Sequence, residues 1–417
     1  MTVVLDILDR EITCWVGDDA VVSPGFAHFA QNQYHFGAQA QQMARIAPRE
    51  VNTRYWTRLS TDPLVPAIGP ARHTADLAHS HLQTLLQQAG QPHDALISVS
   101  GQMTPSQLSL LMGILQSLGV TTSAVVHRSL LVAAGHDAQW HCEVQLHQTL
   151  VTPLSREGGR LTAGSSIELA HLGSLSLLDR LGHRVADAFI TQTRFDPHKR
   201  ATTEQALFDA LPDMLSALRQ HSETQVTIEG YSARITRDSL IDIGTQAASE
   251  LSAVVGPNGS VMLDAALADF PGFAIPCATF VTPTEQIPTI FLREAQSLTA
   301  DPSELVFHRS ISDAVDATTH DKADPDSDTT LLSESTDNAA QPTHLLEGDT
   351  AFALGRVMTL DNGTVLLAAA DGLRLGQGYP RALTVNGEAA IAGQALHIGD
   401  ELADSDGVIG RLIAVRG

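Results

Sequence analysis

His141, Cys142 and His147 are side chains whose types suit a metal ion. Zinc requires three or four such ligands in a tetrahedral arrangement. On a strand, neighbouring residues point to opposite faces, and no other Cys or His cluster offers the missing ligands. Packing and surface positions are therefore the expected roles. Ser98-Val99-Ser100-Gly101 sets two hydroxyls after an apolar run but lacks the Gly-x-Ser-x-Gly spacing of a nucleophile elbow. Cys14, Cys142 and Cys277 lie far apart without a Cys-x-x-Cys pair, which argues against a disulfide framework and fits a reducing compartment. Tyr55-Trp56, between Arg54 and Arg58, is expected to anchor in a core, with an exposed contact as the alternative. Arg194-Phe195-Asp196-Pro197 reads as a helix end, since Asp-Pro starts a turn; a partner-contact loop is the alternative.

These side chains must be held by elements that the pattern of apolar residues suggests. Residues 3–5 and 12–16 read as opening strands. Residues 73–89 carry Leu77, Leu82, Leu85 and Leu86 at near-helical spacing, with Gly90 past the end. His73, His79 and His81 fall on that helix, which reads as solvated on one side. Residues 95–99 form a short buried strand, and 105–118 a helix with Thr104 as N-cap and Pro105 at its first position. Strands are expected at 123–126 and 141–151, and a short helix at 129–134. Helices follow at 172–193, 203–218 and 238–254, with a hairpin at 226–228 and 233–235. Residues 261–267 and 273–279 close the region. Strands mixed with crossover helices argue for an α/β class with a mostly parallel or mixed sheet.

Residues 311–343 are rich in Asp, Ser and Thr and read as a flexible acidic linker. Beyond them, Asp361-Asn362-Gly363, Asp371-Gly372, Asn386-Gly387, Gly399-Asp400 and Asp406-Gly407 punctuate short β-rich segments, the pattern of a small all-β domain over 344–417. At 417 residues the chain is long enough for two or three domains, and 43% apolar residues supply cores for them. The formal net charge of −22 disfavours a nucleic-acid partner, whose affinity comes mainly from Lys and Arg on phosphates. No run of roughly 18 apolar residues suggests a membrane helix, and no basic and apolar leader opens the chain. A soluble cytoplasmic protein is the expectation.

The opening MTVVLDILDREI resembles the first strand and turn of the actin-like ATPases and DnaK-type chaperones. There an apolar strand leads into Asp-x-Gly-Thr/Ser, the Asp holding a hydrated metal and the Gly admitting phosphates. Here Asp6 keeps its place, while Leu8 stands for the Gly and Asp9 for the hydroxyl. A branched side chain crowds the backbone approach that Gly permits, and a second carboxylate repels a triphosphate. Further segments resemble the same family in order. Phe36-Gly37-x-x-Ala40 is similar to its Gly-x-x-Ala helix, and Val51-Asn52-Thr53-Arg54 sits where it carries a catalytic Lys-Arg pair. His127-Arg128-Ser129 replaces the opening of its Glu-Pro helix. Residues 203–218 resemble its Glu-x-x-Lys helix, with Glu204 kept and Leu207 in place of the ribose-contacting Lys. Its second phosphate loop falls on Glu143 and the following residues to Thr149, which contain no Gly, and its adenosine turn becomes Gly256-Pro257-Asn258-Gly259-Ser260. Leu354-Gly355-Arg356, Val385-Asn386-Gly387, Leu396 and Gly399-Asp400 resemble a degenerate forkhead-associated domain without its Ser-x-x-His.

The resemblance implies a two-lobed α/β domain with ribonuclease-H-like sheets over 1–310, lobe I being about 1–128 and lobe II about 129–310. It also implies a degenerate ATP cleft formed by Asp6, Asp9, Glu143, Glu204, Gly256 and Gly259. The expected function is a chaperone-like pseudo-ATPase acting as a scaffold or adaptor for protein partners or clients, with no cofactor and no metal. The alternatives are a true ATPase that binds ATP and Mg, with Asp6 as metal-water ligand and Arg54 in place of the Lys, and a filament-forming actin relative.

Overall fold

The computed structural model describes residues 2–298 except 258 and 269, residues 306–313, and residues 344–347, 350–353, 357–359, 365–369, 372–375, 383–390, 394–404 and 407–413. The chain divides into two units, Met1–Thr319 and His320–Gly417.

The first unit opens on an antiparallel meander of β1 (Thr2–Ile7), β2 (Ile12–Val16) and β3 (Asp19–Ser23). A three-stranded sheet follows, made of β4 (Ala27–Ala30), β5 (Gln33–Phe36) and β6 (Val51–Asn52), with α1 (Ala38–Gln41) between the last two and β6 at one edge. Then come α2 (Thr74–Gln88), β7 (Asp94–Val99), α3 (Pro105–Ser117), β8 (Thr121–His127) and α4 (Arg128–Ala133). Five residues of β1 and five of β7 are buried, as expected of parallel central strands covered on both faces. The expected cap of α3 is present: Thr104 accepts from the Gln107 N–H, and the Gln107 side chain returns to the Thr104 N–H.

The second half repeats the plan. It runs through β9 (Trp140–Val144), β10 (Thr149–Glu157), β11 (Arg160–Ala163), β12 (Ile167–Leu169), α5 (Ser174–Thr193) and α6 (Ala201–Gln220). The hairpin β13 (Glu223–Ile228) and β14 (Tyr231–Thr236) leads to α7 (Ile241–Val255), β15 (Ser260–Leu263), α8 (Ala265–Ala268), β16 (Ala278–Val281) and α9 (Ile287–Leu298). The first sheet has the order β3-β2-β1-β7-β8 and the second β11-β10-β9-β15-β16. In each, the first three strands are antiparallel, and the fourth and fifth run parallel to the first. A last segment closes both: β17 (Phe307–His308) adds to β8, and β18 (Ser310–Ser312) adds to β11. One apolar core, including Val4, Leu96, Val126, Leu130, Met262, Phe291 and Ile311, draws on both sheets.

Several expectations change, while those for Tyr55-Trp56 and Arg194 hold. The span 141–151 is two strands, because the Gln145 N–H bonds to the Gln148 carbonyl and closes a turn without glycine. The span 261–267 is a strand followed by a short helix, with the Asp264 carboxylate accepting from the Ala266 N–H. The boundary at 310 falls inside β18, and Asp313, expected in the linker, ion-pairs with Arg156 at 2.6 Å; residues 314–343 of that linker lie outside the described residues. His81 is buried rather than solvated, 1% exposed, since its face of α2 meets Tyr55 and Trp56. Those two rings are core anchors, at 0% and 3% exposure. Arg194 ends α5 in the left-handed conformation, φ 61°. Among the described residues, no helix is long and apolar enough to cross a membrane.

Every described element of the second unit is a strand. One sheet joins β19 (His344–Glu347), β20 (Thr350–Ala353), β24 (Thr384–Val385), β25 (Glu388–Ala389), β27 (Glu401–Asp404) and β28 (Gly407–Ile413). The other joins β21 (Val357–Thr359), β22 (Val365–Ala369), β23 (Gly372–Leu375) and β26 (Ala395–Leu396). Asn386-Gly387 is the two-residue turn between β24 and β25, both residues at positive φ. The Asn386 amide donates to the Asp400 carboxylate at 2.8 Å and its carbonyl accepts from the Glu401 N–H, so Asn-Gly and Gly-Asp fasten one turn to another. Leu354-Gly355-Arg356 lies outside the described residues.

Candidate functional site

The carboxyl ends of β1, β7, β9 and β15 converge, and each delivers a polar group. Asp6 stands near the end of β1 and opposite Ser98 of β7, whose hydroxyl donates to it at 2.7 Å. Glu143 is near the end of β9. Arg128 opens α4 directly after β8, and its guanidinium reaches both acids. Its Nε lies 3.1 and 2.9 Å from the two Asp6 oxygens, and Nη1 lies 3.6 Å from Glu143 Oε2. All three side chains are sealed: Asp6 is 4% exposed, Glu143 2% and Arg128 2%. Burial alone would push the guanidinium toward its neutral form, but the charges of Asp6 and Glu143 outweigh it and hold its pKa above the usual value. Burial also raises the Glu143 pKa, against the pull of Arg128.

Two tight turns face each other above this triad. In the turn between β1 and β2, Asp9 accepts the Leu146 N–H at 2.9 Å from the turn between β9 and β10. Arg10 donates to the Val144 carbonyl at 3.2 Å and to both Asp264 oxygens, at 3.1 and 2.8 Å. The Gln145 amide donates to Ser100 at 2.8 Å and to Glu143 at 3.0 Å, and its carbonyl accepts from Gln102 at 2.8 Å. Farther out, Arg45 pairs with Asp179, and its guanidinium lies 4.7 Å from the Phe208 ring centroid. Burial, reinforced by Glu143, raises the Asp9 pKa to about 7, against the Leu146 amide and Arg10. Its second oxygen has no hydrogen-bond partner among the described residues.

Buried imidazoles surround the triad. The Ser129 hydroxyl is 2.8 Å from His141 Nδ1, and His127 Nδ1 accepts the Ser129 N–H at 3.2 Å. Burial holds the His127 pKa down to about 3, helped by Arg309, and holds His141 well below its usual value, helped by Arg128. A Cβ on Gly101 would overlap His127 Nε2 and Ser166 Oγ, so the loop after β7 needs a glycine there.

Of the expected site residues, Asp6, Asp9 and Glu143 come together. Arg54 does not join them; it lies exposed on a separate cleft. Glu204 lies beside a different cleft with Arg45, 4.0 Å away, and Leu207 is 1% exposed in the core. Gly256 and Gly259 lie before β15, whereas Asp264 follows it; the converging end of β15 is therefore Asp264 and not the glycines. Gly256 instead caps α7 at φ 71°. Arg128, named only at the replaced opening of a helix, and Arg10 and Asp264 were not singled out as site residues. Arg128 could have been, because a lone charge within Val125-Val126-His127-Arg128-Ser129-Leu130-Leu131 has either to be paired internally or to break the apolar run. His141, Cys142 and His147 do not form a metal cluster; among the described residues no group of three or more His, Cys, Asp or Glu could hold a metal ion.

No family model matches the sequence, and no curated protein matches it.

Proposed function

We propose that the chain is a chaperone-like pseudo-ATPase, a protein-binding scaffold on an actin-like two-lobed frame whose nucleotide cleft is bridged by its own side chains. The frame is supported by the repeated strand order of the two sheets. The observation that carries the functional reading is Arg128, buried between Asp6 and Glu143. In the resembled family the Asp at the end of the first strand holds the hydrated metal. Here a fixed guanidinium already neutralises it and takes both its oxygens.

Magnesium–ATP does not fit the residues present. The Leu146 N–H, which a phosphate loop would aim at its ligand, is spent on Asp9. The branched Leu8 and the buried Asp9 occupy the turn that phosphates would need. Replacing these internal bonds would expose buried charges, each worth about 1.5–3 kcal/mol per charge-assisted hydrogen bond. A frame whose halves are stitched at Asp9, Arg10, Gln145 and Arg45 has no nucleotide-dependent contact to open it, so it serves as a fixed surface.

The test is capture of protein partners by the immobilised full chain, with and without millimolar ATP and magnesium. Equal recovery of the same partners in both is expected. Partners released by ATP, as a working chaperone ATPase would release them, would contradict the proposal.

A further inference from the structure

A cleft of about 650 Å³ opens beside the edge strand β6, on the first half of the main unit. Its wall carries Arg54 and Arg58. The Arg58 N–H donates to the Arg54 carbonyl at 2.9 Å, so the segment makes one helical turn and sets the two side chains on one face. Tyr55 and Trp56 between them are buried, which fixes that turn to the core. Both guanidiniums are exposed, and among the described residues neither has a carboxylate within ion-pair distance. Asp62, which also lines the cleft, pairs with neither. Like charges one turn apart oppose each other, so the arrangement favours an anion that lies across both. The positive field reaches inward: burial and then Arg54 hold the His147 pKa down to about 4.

The surroundings narrow the ligand. The charged residues that line the cleft are Arg54 and Arg58 against Asp62, in a chain of net charge −22. At physiological salt, charges farther than about 8 Å are largely screened, so this local excess governs what docks here. Val65 on the rim is 84% exposed, and Pro66 follows it. Among the described residues β6 pairs only with β4 and sits at the sheet edge, its two residues lining the cleft. A strand edge, an apolar rim and paired arginines together match an extended peptide that alternates apolar and acidic side chains.

We propose that this cleft docks an extended acidic segment of a protein partner, its backbone along β6 and its carboxylates on Arg54 and Arg58. The proposal rests on the scaffold reading for the class of partner and adds the chemistry by which that partner is chosen.

The test selects short random peptides on the full chain and measures the affinity of those enriched. Enrichment in Asp and Glu is expected. R54E/R58E should weaken the selected peptides by about a hundredfold, since two charge-assisted contacts become repulsive. R49E/R72E makes the same net-charge change outside the cleft lining and should leave affinity within about twofold, both variants melting as the parent does. R54Q/R58Q, which adds no repulsion, should weaken them by at least about tenfold. Enriched peptides without acidic bias, or acidic peptides that bind R54E/R58E as well as the parent, would overturn the proposal. Calorimetry with magnesium–ATP reads the scaffold proposal separately. Nucleotide binding together with acidic-peptide binding would remove the pseudo-ATPase reading and leave this cleft standing; peptide failure without nucleotide binding would do the reverse.

Discussion

Replacing Arg128 with Met keeps much of its length and removes its charge, leaving Asp6 and Glu143 buried in one pocket without a counter-ion. Removing one partner of a buried ion pair costs about 3–5 kcal/mol, because the remaining charge is stranded away from water. Unfolding entropy is about 2.1 cal/mol/K per residue, so over roughly 300 ordered residues this loss lowers Tm by about 5–8 °C. Differential scanning calorimetry at pH 7 measures it. A triple variant, D6N/R128M/E143Q, removes all three charges while keeping similar shapes. It should recover at least about half of the loss, since neutral amides cost less to bury than unpaired carboxylates. The reasoning is refuted if R128M melts within about 1 °C of the parent, or if the triple variant is less stable than R128M alone.

Acid should unfold the protein through its buried histidines. His81 and His127 are held down to about 3 and His141 well below its usual value, so below 6.5 the unfolded chain binds protons that the folded chain refuses. Each of the three contributes about 1.4 kcal/mol of lost stability per pH unit, and Asp9, protonated in the fold below about 7, offsets one of them. Urea midpoints measured from pH 6 to pH 4.5 should therefore fall steadily, and a flat profile would contradict the assigned neutral imidazoles. D9N should stabilise the chain at pH 8 by on the order of 2–4 kcal/mol and by less than half of that at pH 5, where Asp9 is uncharged in the fold but still ionised in the unfolded chain. Equal effects of D9N at both pH values in the same urea titration would count against its burial. G101A should cost about 1–3 kcal/mol by chemical denaturation, since its methyl group meets His127 and Ser166; a neutral change would mean that the loop yields.

Much of the frame was legible because local rules agreed there. The apolar runs of β1 and β7, the leucine spacing of α2 and the Thr104-Pro105 start of α3 each named their element. The turn between β9 and β10 was hidden because Gln145, Leu146, His147 and Gln148 offer no glycine or asparagine, and the turn is held by tertiary bonds to Asp9 and Ser100. The short strands β11, β12, β17 and β18 carry too few residues for a period to show. In the site, Asp6, Asp9 and Glu143 came from the resemblance to the two phosphate loops of the actin-like ATPases. The glycine turn of the resembled family falls on Gly256 and Gly259, before β15 rather than after it, because glycine spacing says nothing about strand direction. Arg128 stayed hidden because its partners lie 122 residues before it and 15 after, joined only by the fold.

The most direct measurement is isothermal titration calorimetry of the full chain with ATP and magnesium. With Arg128 seated between Asp6 and Glu143, no binding heat is expected up to millimolar nucleotide. Micromolar binding that D6A abolishes would contradict the account.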